Sequence, residues 1–267
     1  LSLQSPNELM QKPIQTEIEN RIGFITLSRP EKRNALSPEL IEELANAFSA
    51  FEHDPRVKVV VLKAEGKAFC AGADLDYIQQ MQHFSYEENL EDSNRLKALF
   101  SQIYEFPKVV IAQVQGHALA GGCGLVTVCD FAFAASGALF GYTEVKIGFI
   151  PALVSVFLSE QIGQAKTSVL LLSGELISSS KSSELGLITE VVEQEFLEQR
   201  TLDFAQKLVS DNSAFSMQET KRLLRSLGKG DRHRALDLAA EANAKARGHG
   251  DCIKGISAFL SKSKPSW

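Results

Sequence analysis

The sequence contains no CxxC pair and no cluster of histidines, so its four cysteines, Cys70, Cys123, Cys129 and Cys252, do not read as zinc ligands. Three of them lie in apolar stretches, the pattern of small core residues with free thiols in a reducing compartment. Basic excess is lacking too. The 28 Lys and Arg against 33 Asp and Glu give a formal net charge of −5, which removes the electrostatic footprint of a nucleic-acid or anionic-membrane binder. No apolar run approaches the roughly 20 residues of a bilayer span; residues 153–158 are among the longest. The N-terminus has no basic segment followed by an apolar core, and residues 1–12, polar and unpatterned, are expected to be a frayed end. Neither a GxGxxG turn nor a GxxxxGK[ST] loop occurs, so dinucleotide redox chemistry and nucleotide hydrolysis gain no support. These absences leave an expected cytoplasmic protein that works without nucleic acid, membrane, metal or redox cofactor.

What is present is an ordinary globular composition, 44% hydrophobic and 23% charged, able to bury a sizeable core. The stretch "RIGFITL" alternates and is β-branched, predicting a first strand over residues 21–27 that ends at Arg29-Pro30. Ser37-Pro38 supplies an N-cap and a first-turn proline, and Leu40, Ile41, Leu44, Ala45 and Phe48 line one face of the helix that follows. The apolar runs 57–64 and 108–114 predict strands covered on both faces. Strands alternating with helices imply a mostly parallel sheet. Residues 79–94 are polar and predict either a solvated helix start or a loop over a site, in which case Glu87, Glu88 and Glu91 would enter it. After Pro151 the chain reads as helices over 151–162, 195–210, 216–226, 232–247 and 251–261, with apolar faces fit to pack against another copy.

Chemistry concentrates in three places. "FCAGADL" (69–75) and "GHALAGG" (116–122) are glycine-rich loops after apolar strands, where ligand crevices of parallel sheets form. Small residues there let backbone N–H groups approach an oxygen that becomes negative. In "FGYTEVKIGFIPA" (140–152), Glu144 stands in a mostly apolar stretch, where desolvation raises a carboxyl pKa and suits it to acid/base work; the alternative is an exposed glutamate paired with Lys146. His117 is a second candidate base, or a loop histidine held by a hydrogen bond. Gly124 opens the apolar run of "GHALAGGCGLVTVCD" at a cost of about 1 kcal/mol relative to alanine in a helix. It marks either close packing or a surrendered side chain.

Taken in order, "LSRPEKRNALS", "KAFCAGADL", "GHALAGGCGL...CDFAFA", "FGYTEVKIGFIP", "ELGLITEVV" and "GISAFLSKSKPSW" resemble the crotonase, or enoyl-CoA hydratase/isomerase, family across nearly the whole chain. The resemblance implies an α/β spiral of ββα units, a core over 13–200, a helical oligomerisation region over 201–267 and a homotrimer or hexamer. Acyl-CoA thioesters are the implied substrates, with coenzyme A part of the substrate rather than a cofactor. It places the oxyanion hole at the N–H groups of Ala73 and Gly121 and the acid/base at Glu144. It runs CoA along Lys32, Arg33, Ala35, Ala71, Gly72, Asp74, Leu75, Gly122 and Gly124, with Lys262 or Lys264 reaching a neighbour's phosphate.

Hydratases of this family generally hold one water between two glutamates; the second matches Glu144, and the first falls on Gly124. Three readings follow: hydration of an unusual enoyl thioester, such as branched 3-methylglutaconyl-CoA, whose own carboxylate would repel a second glutamate and fill the room glycine leaves; isomerisation by a single carboxylate; and a non-catalytic CoA-binding protein. The motifs are similar to a bacterial methylglutaconyl-CoA hydratase-like subgroup.

Overall fold

The computed structural model describes residues 12–227 and 229–265. Of the segment expected to fray, only Lys12 falls among them, and the end of the last motif, Ser266 and Trp267, lies outside the described residues. The chain opens with a hairpin of β1 (Ile14–Glu19) and β2 (Ile22–Leu27), in register Glu19↔Ile22. Its turn residues Asn20 and Arg21 both have positive φ, 48° and 66°, the geometry that matches the twist of antiparallel strands. β1 was not foreseen, because only Ile14 of its six residues is buried and an edge strand carries little alternation. α1 (Pro38–His53) follows, with Ser37 Oγ accepting from the Leu40 N–H as the sequence predicts.

Three successive turns then each lay one strand in each of two sheets. The first is β3 (Val59–Ala64) and β4 (Ala68–Cys70), followed by α2 (Leu75–Met81) and α3 (Tyr86–Tyr104). The second is β5 (Val109–Val114) and β6 (His117–Leu119), followed by α4 (Gly121–Thr127). The third is β7 (Phe131–Ala135) and β8 (Leu139–Gly141), followed by a 3-10 helix (Glu144–Ile147), α5 (Ala152–Ile162) and α6 (Gln164–Ser173). β9 (Ile177–Ser178), α7 (Ser179–Leu185) and β10 (Glu190–Val192) close the spiral. The larger sheet has order β1-β2-β3-β5-β7-β10 and the smaller β4-β6-β8-β9. Within the smaller one β4, β6 and β8 are parallel, so the segments leaving all three emerge at one edge.

The main core lies among the two sheets, α1, α3 and α5, with Phe48, Phe69, Phe100, Phe140 and Phe157 fully buried. The other face of the larger sheet, with Ile22, Val59, Val61, Ile111 and Phe133, is covered by α8 (Leu197–Asp211). This double cover is why residues 59–62 and 109–112, within the runs 57–64 and 108–114, are continuously apolar. α8 contributes Leu197 and Ala205 to that layer, so the division expected between residues 200 and 201 falls inside a helix packed on the core. α9 (Ala214–Ser226), α10 (Lys229–Arg247) and α11 (Gly250–Leu260) complete the chain. α10 lies antiparallel along α3, tied by Asp92–Arg247 and Lys97–Asp237 ion pairs.

Candidate active site

Three chain segments converge at the edge where β4 and β6 end. Leu36 forms a parallel bridge with Ala73: its N–H donates to the Gly72 carbonyl at 2.7 Å, and the Asp74 N–H donates to the Leu36 carbonyl at 2.8 Å. In such a bridge the N–H of the central residue, Ala73, points away from its partner. Gly72 has φ 90°, and a Cβ on it would fall 3.0 Å from Ala120 Cβ. A Cβ on Gly121 would fall 2.8 Å from Leu36 Cδ1, and one on Gly122 2.3 Å from the Cys70 carbonyl oxygen. Glycine at 121 and 122 is therefore close-packing that lets the start of α4 touch both neighbouring segments.

Gly121 is the first residue of α4, so its N–H has no intrahelical acceptor. Ala120 before it sits at φ 49°, ψ −124°, a strained conformation for a residue with a Cβ. It is held by its N–H donating to Gly141 O at 2.8 Å and by its carbonyl accepting from Gly124 N–H at 3.0 Å. The strain turns the chain so that the helix begins facing the Ala73 loop.

The third strand, β8, delivers Glu144. Tyr142 is buried and its hydroxyl lies 2.6 Å from Thr127 Oγ1 on α4, which fixes the strap just ahead of Glu144. Gly148, in the left-handed region at φ 76°, and Phe149 both donate their N–H groups to the Glu144 carbonyl. Glu144 is partly exposed as a residue, but its Oε2 is buried and has no hydrogen-bond partner. Burial pushes its carboxyl up to about 7, opposed only by its own backbone N–H. The alternative pairing with Lys146 does not form.

The remaining candidates take varied places. Arg33 and Ala35 lie just before the bridge residue Leu36: the Arg33 carbonyl accepts from Ala71 N–H, and the Ala35 carbonyl accepts from Arg29. Lys32 is exposed and paired with Asp76 at 2.7 Å, and Leu75 is half-exposed beside it. Asp74 is buried; one oxygen caps α2 at the Asp76 N–H and the other accepts from Arg29, so both serve the loop itself. His117 is exposed, its Nδ1 accepting from the Leu139 N–H at 3.1 Å, the structural alternative of the two considered. Lys262 and Lys264 are exposed beyond α11. Residues 86–104 form a helix with a Ser85–Glu88 capping box, and Glu87, Glu88 and Glu91 are exposed on it, the solvated helix start of the two alternatives considered.

The room expected at Gly124 is also corrected. A Cβ there would lie 2.7 Å from Cζ and 3.0 Å from Cε2 of Phe100, so the ring fills the space. Sequence reasoning passed over two residues that build this region. Phe100 belongs to a helical stripe with Leu96, Leu99 and Ile103 that reads only as core. Asn34, fully buried at φ 54°, accepts from Arg29 N–H and donates to the Glu65 and Ala68 carbonyls, pinning the 29–36 segment to β4. Its signal is the Asn-Ala pair after a positively charged turn, which composition does not distinguish from an ordinary loop.

The Ala73 and Gly121 segments and the buried, unpartnered Glu144 Oε2 thus follow neighbouring strands of the smaller sheet. The model of the family described as "Enoyl-CoA hydratase/isomerase" matches residues 17–267, and the chain belongs to that family. A protein of Thermus thermophilus named "Putative enoyl-CoA hydratase" is 40% identical over 244 residues, covering 91% of this chain and 96% of its own. The crotonyl-CoA hydratase of Syntrophomonas wolfei is 31% identical over 253 residues, 94% and 96% of the two chains. The crystal structure of an enoyl-CoA hydratase from Mycobacterium avium superposes with a TM-score of 0.85 at 31% identity over 97% and 100%.

Proposed function

We propose that the protein adds water to the conjugated double bond of an enoyl-CoA thioester, with Glu144 as the acid/base and the Ala73 and Gly121 N–H groups as the oxyanion hole. The observation that carries this reading is the buried, unpartnered Glu144 Oε2 at the same sheet edge as the two amides. Water oxygen bonds to Cβ, electrons move onto the thioester oxygen held by the amides, and Cα takes the proton of Glu144. The proton that water loses returns to the carboxylate, so the residue is regenerated. Lost donors in such a hole typically cost about 3 kcal/mol. Lys32 is proposed to meet a CoA phosphate, which must displace Asp76 from it.

The acyl chain is proposed to be branched, as in 3-methylglutaconyl-CoA. Two anions about 4 Å apart repel by roughly 1 to 4 kcal/mol at effective dielectrics of 80 to 20, and position 124 carries no carboxylate to oppose one on the substrate. A second reading, double-bond isomerisation, is favoured by the same absence, because one carboxylate suffices to take a proton from one carbon and return it to another.

Crotonyl-CoA, 3-methylglutaconyl-CoA and a 3-enoyl-CoA, assayed separately with products identified by mass, test these readings. Gain of one water on a conjugated substrate supports hydration; conjugation gained without mass change makes the protein an isomerase. Glu144→Gln is expected to lose about 10² to 10⁴ in rate. Thermal stabilisation by acyl-CoA with no turnover would instead mark a binding protein.

A further inference from the structure

We infer that Phe100 is a plug that determines which chemistry this site performs: it occupies the place of a second carboxylate and commits the site to Glu144 alone. The inference rests on the acyl-CoA reading above. Gly124 lies one turn into the helix that begins with Gly121, so its α-carbon is about 4.5 Å along the axis from the oxyanion amide. The Phe100 ring meets it tip-on, with an added Cβ 2.7, 3.0 and 3.7 Å from Cζ, Cε2 and Cε1. The ring is 1% exposed and stands edge-on to Phe157 of α5, centroids 6.4 Å apart at 82°. Two buried rings thus pack against each other beside Gly124.

Three consequences follow from packing and polarity. A side chain at 124 has no space while Phe100 is present, because interiors are close-packed and overpacking forces backbone or rotamer shifts. A water held on that side would face aromatic carbon, with no polar side chain from position 124 to anchor it. Position 124 then supplies no proton carrier, and that work falls to Glu144. Glycine at 124 and phenylalanine at 100 form one device, each requiring the other.

The experiment is a double-mutant cycle on the full-length protein with Phe100→Ala and Gly124→Glu, reading thermal midpoint, crotonyl-CoA hydration and the pH profile of kcat/KM. Gly124→Glu alone is expected to lower the midpoint without gaining activity. The double variant is expected to lose less in midpoint than the sum of its single changes. It is also expected to hydrate crotonyl-CoA at least tenfold faster than Gly124→Glu, with a second ionisation in its profile. Where the alanine variant fails to fold, Phe100→Leu with Gly124→Ala repeats the stability cycle with smaller changes. Additive midpoints, a second ionisation in Gly124→Glu alone, or none in the folded double variant would each overturn the inference. Absence of turnover by the unmodified protein on every enoyl thioester overturns the acyl-CoA reading instead, and the midpoint cycle still judges the packing.

Discussion

Gly255 of α11 lies against the carbonyl of Ile147, so close that a Cβ on Gly255 would fall 2.3 Å from that oxygen. On the facing side, a Cβ on Gly148 would fall 2.6 Å from the Asp251 carbonyl oxygen. The last helix thus presses backbone to backbone on the 3-10 helix that begins at Glu144. The C-terminal segment is part of the support for the proposed acid/base, Glu144.

Gly255→Ala is accordingly expected to displace the Glu144 helix. Overpacking of this kind typically costs about 1 to 3 kcal/mol, and misplacing a reacting group by about 1 Å costs on the order of 10² in rate. Steady-state kinetics should show kcat falling at least tenfold with KM changing less, alongside a lower midpoint in urea.

The raised Glu144 carboxyl separates hydration from isomerisation by pH. Hydration needs the protonated form, so kcat/KM should fall as pH climbs through about 7. Isomerisation starts from the carboxylate and should rise through the same range. Stability responds as well. The folded-state value lies above the ordinary 4.5, so the folded protein holds this proton more tightly than the unfolded chain. The stabilisation is complete below about 4.5 and is lost as pH rises through about 7. Glu144→Gln should therefore raise the thermal midpoint at pH 8 more than at pH 5.

Asp92 and Arg247 form an ion pair at 2.6 Å with both side chains 7% exposed. The Tyr77 hydroxyl donates to the other Asp92 oxygen at 2.6 Å. This network joins α2, α3 and α10. Removing one partner from a buried pair leaves an uncompensated charge and typically costs about 3 to 5 kcal/mol. Arg247→Met should show that loss in urea unfolding, and combining it with Asp92→Leu should recover a large part.

Along α9 and just after it, Phe215, Leu223, Leu224 and Leu227 are each more than 60% exposed. We propose that this uncovered apolar surface meets further copies of the chain, as in the trimer or hexamer that the family resemblance implies. Leu224→Lys combined with Leu227→Lys should lower the sedimenting mass toward that of one chain. An unchanged mass would move the interface elsewhere.

Much of the architecture was legible locally. Ser37-Pro38 starts α1 because a cap is a contact within four residues, and the apolar runs become the central strands because their middle residues are buried on both faces. The short α7 and the edge strand β1 escaped, since neither buries enough of its residues to impose a period. Glu144 was legible as a carboxylate stranded among apolar neighbours, and the two glycine-rich loops as places where backbone could approach a ligand.

What Gly124 is for was not legible. The sequence left two readings open, close packing or a surrendered side chain, and only the family resemblance implied that a glutamate ordinarily stands there. Only the tertiary structure decided that the ring of Phe100, 24 positions earlier on α3, packs against Gly124 of α4. Likewise the sequence specified a C-terminal set of amphipathic helices, and their packing decided that Gly255 meets Ile147. Periodicity reports which face of a helix is apolar; which atoms it meets depends on packing between elements remote in sequence.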